Sequence, residues 1–320
     1  MIKSLINPTT QNFLVKEGNE LRDSKTNSLV ATIVNGIPRF IDNYQNYAES
    51  FGWQWNKWHS VRSSKRSNFD LGSVIKKRTH FDEYKTNGKN LLECGMGGGD
   101  DTEILLNWPF SEVHSFDLSN SVERASKFID DQRLLISQAS IFEIPYPDNS
   151  FDFVYCHRVL QHTPNPKLAL HLICKKVKPG GILFAHSYNR SFNYMMEWRY
   201  KYRWLTKRLP RSWILTFLER LGSRLHDLNF LLYNKGKLSR FLAYNFIPFY
   251  YKESTDAKKL STGDLIELEK LISFDALTPK HDHPMKSKDF FGIIEREGFT
   301  IEHKCDHPQS PLYATARKKL

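Results

Sequence analysis

The sequence predicts a doubly wound α/β fold, a mostly parallel seven-stranded sheet with helices on both faces, carrying a small N-terminal cap and a long helical insertion. Three observations predict it. From Asn90 onward, short apolar runs alternate with helical stretches, the pattern of βα units that build a parallel sheet. The first of these runs, Asn90 to Cys94, ends in a glycine-rich turn that opens a helix. The rhythm stops after Tyr188 and resumes at Ser287, so a segment of different character, residues 191–286, interrupts the sheet.

Residues 1–45 are expected to form the cap. They are polar and weakly patterned as far as Leu29 to Val34, a β-branched run that turns at Asn35-Gly36 and continues from Ile37 to Ile41, which reads as a small hairpin. Aromatic residues follow at Tyr44, Tyr47, Phe51, Trp53, Trp55 and Trp58, and their irregular spacing suits a helix covering the core or a ligand. Strands are expected at Asn90 to Cys94, Glu112 to Asp117, Arg133 to Gln138, Phe151 to Cys156 and Gly181 to Ser187, each short and apolar enough to be buried on both faces. A helix from Lys167 to Val177 ends at Lys178-Pro179-Gly180-Gly181, because proline cannot continue it and glycine supplies the turn into the next strand. Amphipathic patterns mark residues 191–286 as a mainly helical substrate lid. A helix from Ser287 to Glu297 and strands at Phe299 to His303 and Leu312 to Ala316 then complete a domain made of residues 46–190 and 287–320.

With 40% hydrophobic and 25% charged residues, the 320-residue chain has the composition of a globular protein rather than a disordered one. No apolar stretch reaches the length of a bilayer span, and Met1-Ile2-Lys3-Ser4 opens no signal peptide, so a cytoplasmic location is expected. Cys94, Cys156, Cys174 and Cys305 lack CxxC pairing, which excludes a thiolate zinc ribbon and a disulfide framework. The net charge of +11 suits an anionic partner such as a phosphorylated substrate, nucleic acid or an acidic membrane surface. Much of it lies in Lys57 to Arg78 and in Arg199 to Arg211, where aromatics stand between the bases; a solvated helix face accounts for that pattern equally well.

The strongest chemical signal is Glu93-Cys94-Gly95-Met96-Gly97-Gly98-Gly99-Asp100, a buried strand running into glycines. Glycine adopts positive φ without a Cβ penalty and lets backbone approach a ligand closely. The next strand ends in Asp117, where a carboxylate accepts hydrogen bonds from both hydroxyls of a ribose. Together they point to a nucleoside cofactor. A nicotinamide dinucleotide site would place Gly or Ala at position 100, which is Asp, and a phosphate-cradling loop would need Gly-Lys-Ser/Thr, which is missing.

Five segments in order carry a family resemblance: Glu93 to Gly99, Asp117, Ile144 to Asp152, Val159-Leu160-Gln161-His162-Thr163 and Lys178-Pro179-Gly180-Gly181. On these the chain resembles the class I S-adenosylmethionine-dependent methyltransferases, over roughly residues 45–190 and 270–320. The resemblance implies a Rossmann-like sheet with S-adenosylmethionine as cofactor. It implies that Gly95, Met96, Gly97 and Gly99 face the amino-acid part of the cofactor, Asp117 and Leu118 its ribose side, and Glu93 the support of the turn. Two positions depart from the family pattern. Ser140 stands where an adenine-binding Asp is usual, leaving adenine to Ser140 and Ile141, and Gln161-His162 replaces a His-His pair. The run Ile33 to Phe40 is similar to the end of a zinc-ribbon segment preceding some members, but no cysteine precedes Cys94, so a degenerate, metal-free cap is expected.

Methyl transfer from a sulfonium is a direct displacement that requires alignment and, for a hydroxyl acceptor, a base. His162 and His157 follow the fourth strand at the edge where open α/β sheets bind ligands and are the leading catalytic candidates, ahead of His186 and of Asp275 or His281 in the segment 274–283. His281-Asp282-His283 on a loop does not specify a metal, and none is expected. The acceptor expected is a small molecule, a sugar or a lipid-linked compound, methylated on oxygen. Cys156-His157-Arg158-Val159 stands where amide or base N-methylation would want Asn/Asp-Pro-Pro-Tyr/Phe. Two alternatives stay open: an RNA methyltransferase using the basic surface, and a catalytically silent domain that binds cofactor, partner or a membrane surface.

Overall fold

The computed structural model describes residues 4–41, 47–48, 51–52, 54, 57–58, 71–251, 261–308 and 310–320. Tyr44, Trp53 and Trp55 of the aromatic cluster, and most of the basic stretch from Lys57 to Arg78, lie outside them.

All seven expected strands form, contiguous in one sheet, but the sheet has eleven strands and is mixed. In chain order they are β1 (Leu14–Glu17), β2 (Glu20–Asp23), β3 (Leu29–Val34), β4 (Ile37–Arg39), β5 (Asn90–Cys94), β6 (Glu112–Asp117), β7 (Leu134–Gln138), β8 (Phe151–Cys156), β9 (Val177–Ser187), β10 (Phe299–Cys305) and β11 (Leu312–Lys318). Their spatial order is β1-β2-β3-β4-β7-β6-β5-β8-β9-β11-β10. Pairing is parallel from β4 through β9 and antiparallel in the N-terminal meander and across β9-β11-β10. The sheet order reverses between β5 and β8, and such switch points open a crevice beyond the strand C-termini.

The extra strands come from residues 4–41, which continue the sheet past β7. The expected hairpin at Asn35-Gly36 is β3-β4. Strand β4 joins β7 through Arg39 and Gln138, whose side chains are bonded at 2.8 Å, while the Arg39 guanidinium pairs with Glu123. The turns before β1 and after β2 are tied by the buried Asp23 carboxylate. It accepts from the Asn7 amide at 2.8 Å, from the Thr10 hydroxyl, and from the Lys25 and Thr26 N–H groups at 2.9 and 3.0 Å. Those donors, the Thr10 hydroxyl foremost, hold this carboxyl well below the usual range, so they stabilise its ionised form.

Strand faces alternate as a doubly wound sheet requires. Leu91, Phe153, Tyr155 and Phe184 pack on one face with Leu71 and Ile75 of α1 (Leu71–Thr79) and Ile104 of α2 (Asp100–Leu105). Leu92, Val154 and Leu183 face the other way, against α4 (Pro166–Lys176) and α10 (Ser287–Arg296). Helix α3 (Val122–Phe128) covers Met96 and Ile37. Helix α4 stops at Lys176 as the proline dictates, but the Lys-Pro-Gly-Gly segment is already part of β9 rather than a separate turn.

The described residues of the segment from 191 to 286 are mainly helical: α5 (Phe192–Met195), α6 (Trp198–Thr206), α7 (Arg211–Lys235), α8 (Lys237–Phe246) and α9 (Thr262–Leu277). It has its own apolar centre. Ile214 and Leu218 of α7 meet Trp198, Phe249, Leu271 and Phe274. Several bases of the stretch from Arg199 to Arg211 have structural employment: Arg203 is buried and donates to the carbonyls of Ala276 and Pro279 at 3.1 and 2.8 Å, and Lys201 reaches the Asn245 carbonyl at 3.0 Å.

Candidate active site

A cleft opens at the C-terminal ends of β5, β6 and β8, the place the sheet reversal predicts. Gly95 and Gly97 lie on its wall with φ of 81° and 56°, so the chain after β5 turns through the left-handed region where glycine is favoured. A Cβ on Gly95 would stand 2.3 Å from Val159 Cγ2, which makes this residue a packing requirement as well as a conformational one.

Glu93 lies beneath the turn, fully buried. It accepts from Thr102 Oγ1 of α2 and Ser115 Oγ of β6, both at 2.7 Å, and so ties the strand that carries the glycines to the helix that follows. Burial raises its carboxyl to about 8 against an ordinary 4.5. The folded chain therefore keeps a proton that the unfolded chain releases, and stability falls as pH rises from about 4.5 through about 8. Glu93→Gln, which cannot ionise, is expected to flatten this decline; thermal melts of both proteins at pH 5 and pH 8 check it, and equal slopes would contradict it.

Asp117 closes β6 at the cleft. Its Oδ2 accepts the Gly97 N–H at 2.9 Å, and its Oδ1 accepts the Ser119 N–H and hydroxyl at 2.8 and 2.6 Å. The carboxylate is thus held rigidly against the glycine turn. Burial pushes its carboxyl up, a cost that hydroxyl donors from a ligand would offset. Met96, Leu118 and Ile141 supply an apolar wall beside it, with Ala139 and Phe116. Gly99 and Ser140 are placed elsewhere. The site of a Cβ on Gly99 is 2.6 Å from Ile129 Cδ1, under α3, and the Ser140 hydroxyl accepts the Phe142 N–H at 3.2 Å.

His157 and His162 both reach the cleft, in different states. His157 lies between Asp101 Oδ2, 2.7 Å from Nδ1, and Arg78 Nη1, 3.0 Å from Nε2. A guanidinium can only donate, so Nε2 is the acceptor and Nδ1–H points at the carboxylate. Burial lowers this imidazole to about 4, Asp101 opposing and Arg158 and Arg78 adding to the fall. A neutral ring whose lone pair is already engaged is a poor base near pH 7. His162 faces the carbonyl of His281 through Nδ1 at 3.3 Å, which makes Nδ1 the protonated nitrogen and leaves the Nε2 lone pair available. Its ring is steadied by Phe51 at 4.9 Å and Tyr188 at 5.6 Å. His281 itself is lowered to about 4, mainly by burial, and burial also holds His186, beside His157, well below the ordinary imidazole range.

The cleft is roofed by residues far away in sequence. Tyr47 and Phe51 come from the aromatic cluster and Asp275 from α9, and Asp275 accepts from Gln54 Nε2 at 3.1 Å. The segment 274–283 does fold back over the cleft, through Asp275 and the His281 carbonyl. Sequence reasoning missed Gln54, Asp101 and Arg158. Arg158 carried a signal, standing between His157 and the Val159 motif. It has φ of 61°, uncommon for a bulky residue, and among the described residues lining the cleft it is the only guanidinium or ammonium. Among the described residues the metal-ligating atoms of His80, Glu83 and His303 come together at the surface. The two imidazoles stack at 3.8 Å with 2° between planes, so their lone pairs run side by side rather than converge on one ion.

Comparison with known proteins agrees with this geometry. Residues 92–185 match the family described as a methyltransferase domain. A ubiquinone biosynthesis O-methyltransferase of Coxiella burnetii is 28% identical over 184 residues, covering 52% of this chain and 78% of the relative. Another from an Azoarcus species is 30% identical over 133 residues, 39% of this chain and 55% of that one. The magnesium protoporphyrin IX methyltransferase structure from Synechocystis, solved with bound SAH, aligns over 86% of this chain and 98% of its own at 12% identity and a TM-score of 0.45. The left-handed glycine turn and Asp117 lie within the matched span and line the cleft, so residues 92–185 form a methyltransferase domain with S-adenosylmethionine as its cofactor.

Proposed function

We propose that the protein methylates an oxygen atom of a small-molecule, sugar or lipid-linked acceptor held between the sheet edge and the helical segment 191–286, which acts as its lid. The observation that carries this reading is His162, a cleft imidazole oriented by the His281 carbonyl with Nε2 left to accept a proton. The resemblance to ubiquinone biosynthesis O-methyltransferases supports oxygen as the acceptor atom. S-adenosylmethionine supplies an electrophilic methyl group on its sulfonium. Asp117 and the Gly97 turn hold the cofactor's ribose and tail, and Met96, Leu118 and Ile141 its apolar surfaces. His162 takes the hydroxyl proton as the new carbon–oxygen bond forms; the carbon–sulfur bond breaks and its electron pair stays on sulfur as a neutral thioether. Asp275 and Gln54 align the acceptor from the lid side.

Arg158 gives this acceptor a further property, an anionic group. Four carboxylates share the lining, yet among the described residues none is bonded to this guanidinium: Asp101 is held by His157 and the Tyr155 hydroxyl at 2.8 Å, Asp117 by Gly97 and Ser119, and Asp275 by Gln54. Arg158→Gly is a clean test, because glycine suits φ of 61° and removes the charge without straining the backbone. With labelled S-adenosylmethionine and a panel of catechols with and without a carboxylate or phosphate, the wild type is expected to make O-methyl products and to favour the anionic ones. Arg158→Gly is expected to lose about tenfold or more on the anionic acceptors alone, the loss of one charge-assisted hydrogen bond. Methylation of nitrogen or of RNA would overturn the reading, and an equal loss on neutral catechols would overturn the role of Arg158.

A further inference from the structure

Helices α7 and α8 form a hairpin that presents apolar side chains to solvent. Leu238, Phe241 and Leu242 recur at i, i+3 and i+4 on α8 and are 74%, 54% and 45% exposed, while the buried residues of α8 are the small Ala243 and the polar Asn245. The last turns of α7 add Phe230 and Leu231, both more than half exposed. Gly236 makes the sharp bend between the helices at φ 137°, a conformation open to glycine. A helix of a globular protein ordinarily buries its apolar stripe, so outward leucine and phenylalanine at a hairpin tip need a partner.

The charge around the tip identifies the partner. Residues 228–250, the end of α7 and all of α8, hold Lys235, Lys237 and Arg240 and no Asp or Glu. Lys235 and Lys237 flank the bend, both exposed and without an ion pair among the described residues. We infer that the α7–α8 hairpin docks on a bilayer surface carrying anionic lipid, its apolar tip entering the headgroup boundary and its lysines facing the lipid charges. Among the described residues no helix is long and apolar enough to cross a membrane, so the hairpin lies on the surface rather than spanning it. A second copy fits poorly, because a two-fold contact through this face would bring the same lysines of both copies together. RNA fits poorly too, since around Phe230 and Phe241 the tip presents Leu231, Leu238 and Leu242, aliphatic side chains that a sugar-phosphate backbone would leave unburied. The hairpin is bound to the cleft through α9: His226 of α7 meets Glu269 at 2.7 Å, and the same helix carries Asp275 to the cleft. Docking would therefore hold the cleft close to the membrane surface, where a lipid-linked acceptor resides.

The test is flotation of the full chain with phosphatidylcholine vesicles, with and without phosphatidylglycerol. The wild type is expected to float with the phosphatidylglycerol vesicles and to be released by salt. The double variant Leu238→Glu with Phe241→Glu is expected to stay unbound. Lys235→Ala with Lys237→Ala is expected to bind about thirtyfold more weakly, from about fivefold per lysine near an anionic surface. Unchanged S-adenosylhomocysteine affinity in all variants shows that fold and cofactor site are intact; its absence in the wild type would instead sink the methyltransferase reading. A wild type that ignores both vesicles, or a Glu variant that still floats, overturns the docking. So does a wild-type dimer, measured by sedimentation, that the Glu pair converts to monomer.

Discussion

Asp117→Ala is expected to weaken S-adenosylmethionine and S-adenosylhomocysteine binding by about 10²- to 10⁴-fold in calorimetric titration, the loss of two hydrogen bonds to a charged acceptor at about 1.5–3 kcal/mol each. The carboxylate is positioned for that task before any ligand arrives, one oxygen on the Gly97 N–H and the other on Ser119. Oδ2 keeps a second acceptor site for one ribose hydroxyl, and the other hydroxyl can take the place of Ser119 Oγ–H at Oδ1, since that serine hydroxyl has Ser121 Oγ at 2.6 Å as an alternative partner. Burial already raises this carboxyl, so the site carries a cost that ligand donors would offset, and binding is expected to weaken further where the carboxyl is protonated. The alanine also frees the Gly97 N–H, so the melting temperature has to be measured alongside affinity. Asp117→Asn, similar in shape but with one acceptor oxygen replaced by an amide NH2 donor, is expected to keep the fold and lie between alanine and wild type. Full affinity in Asp117→Ala would remove Asp117 from the ribose and return the cofactor's position in the cleft to open question.

Much of this was legible in the sequence, for identifiable reasons. Strands β5 to β9 are apolar on both faces because helices cover both, and a run such as Leu91-Leu92 followed by glycines has few other readings. Strands β1 and β2 escaped notice because each is four residues long and contributes one buried hydrophobe, Leu14 or Leu21, among charged neighbours. The polar tie around Asp23 leaves no periodic trace at all. At the site, positive φ at Gly95 and Gly97 follows from residue type, whereas the place of Gly99 under Ile129 depends on how α3 packs, which spacing does not encode. The roof of the cleft was legible only as a suspicion. Gln54 and Asp275 meet across more than two hundred residues of sequence, and the sequence offers an aromatic cluster and a polar segment but not their contact.

The two histidines after β8 read alike in sequence, and the structure separates them, which leads to the second large effect. His162→Ala is expected to lower turnover by about 10²- to 10⁴-fold, the range for a positioned base. Cofactor affinity should hold, because His162 meets Phe51, Tyr188 and the His281 carbonyl rather than the glycine turn or Asp117. Added imidazole should restore part of the rate, a readout that a merely structural residue would not move. His157→Ala should behave in the opposite sense. It removes the donor that faces Asp101 Oδ2, which keeps only the Tyr155 hydroxyl at 2.8 Å, and the acceptor that faces Arg78, a cost of about 1–3 kcal/mol in stability for the guanidinium left unpaired there. The shape of the pH profile should survive, since a ring lowered to about 4 with its lone pair engaged is no base near neutrality. Full turnover in His162→Ala would shift proton removal to another group on the wall, with Asp275 the next in reach. Lost turnover at unchanged stability in His157→Ala would overturn the assignment of His157 as a strut between Asp101 and Arg78.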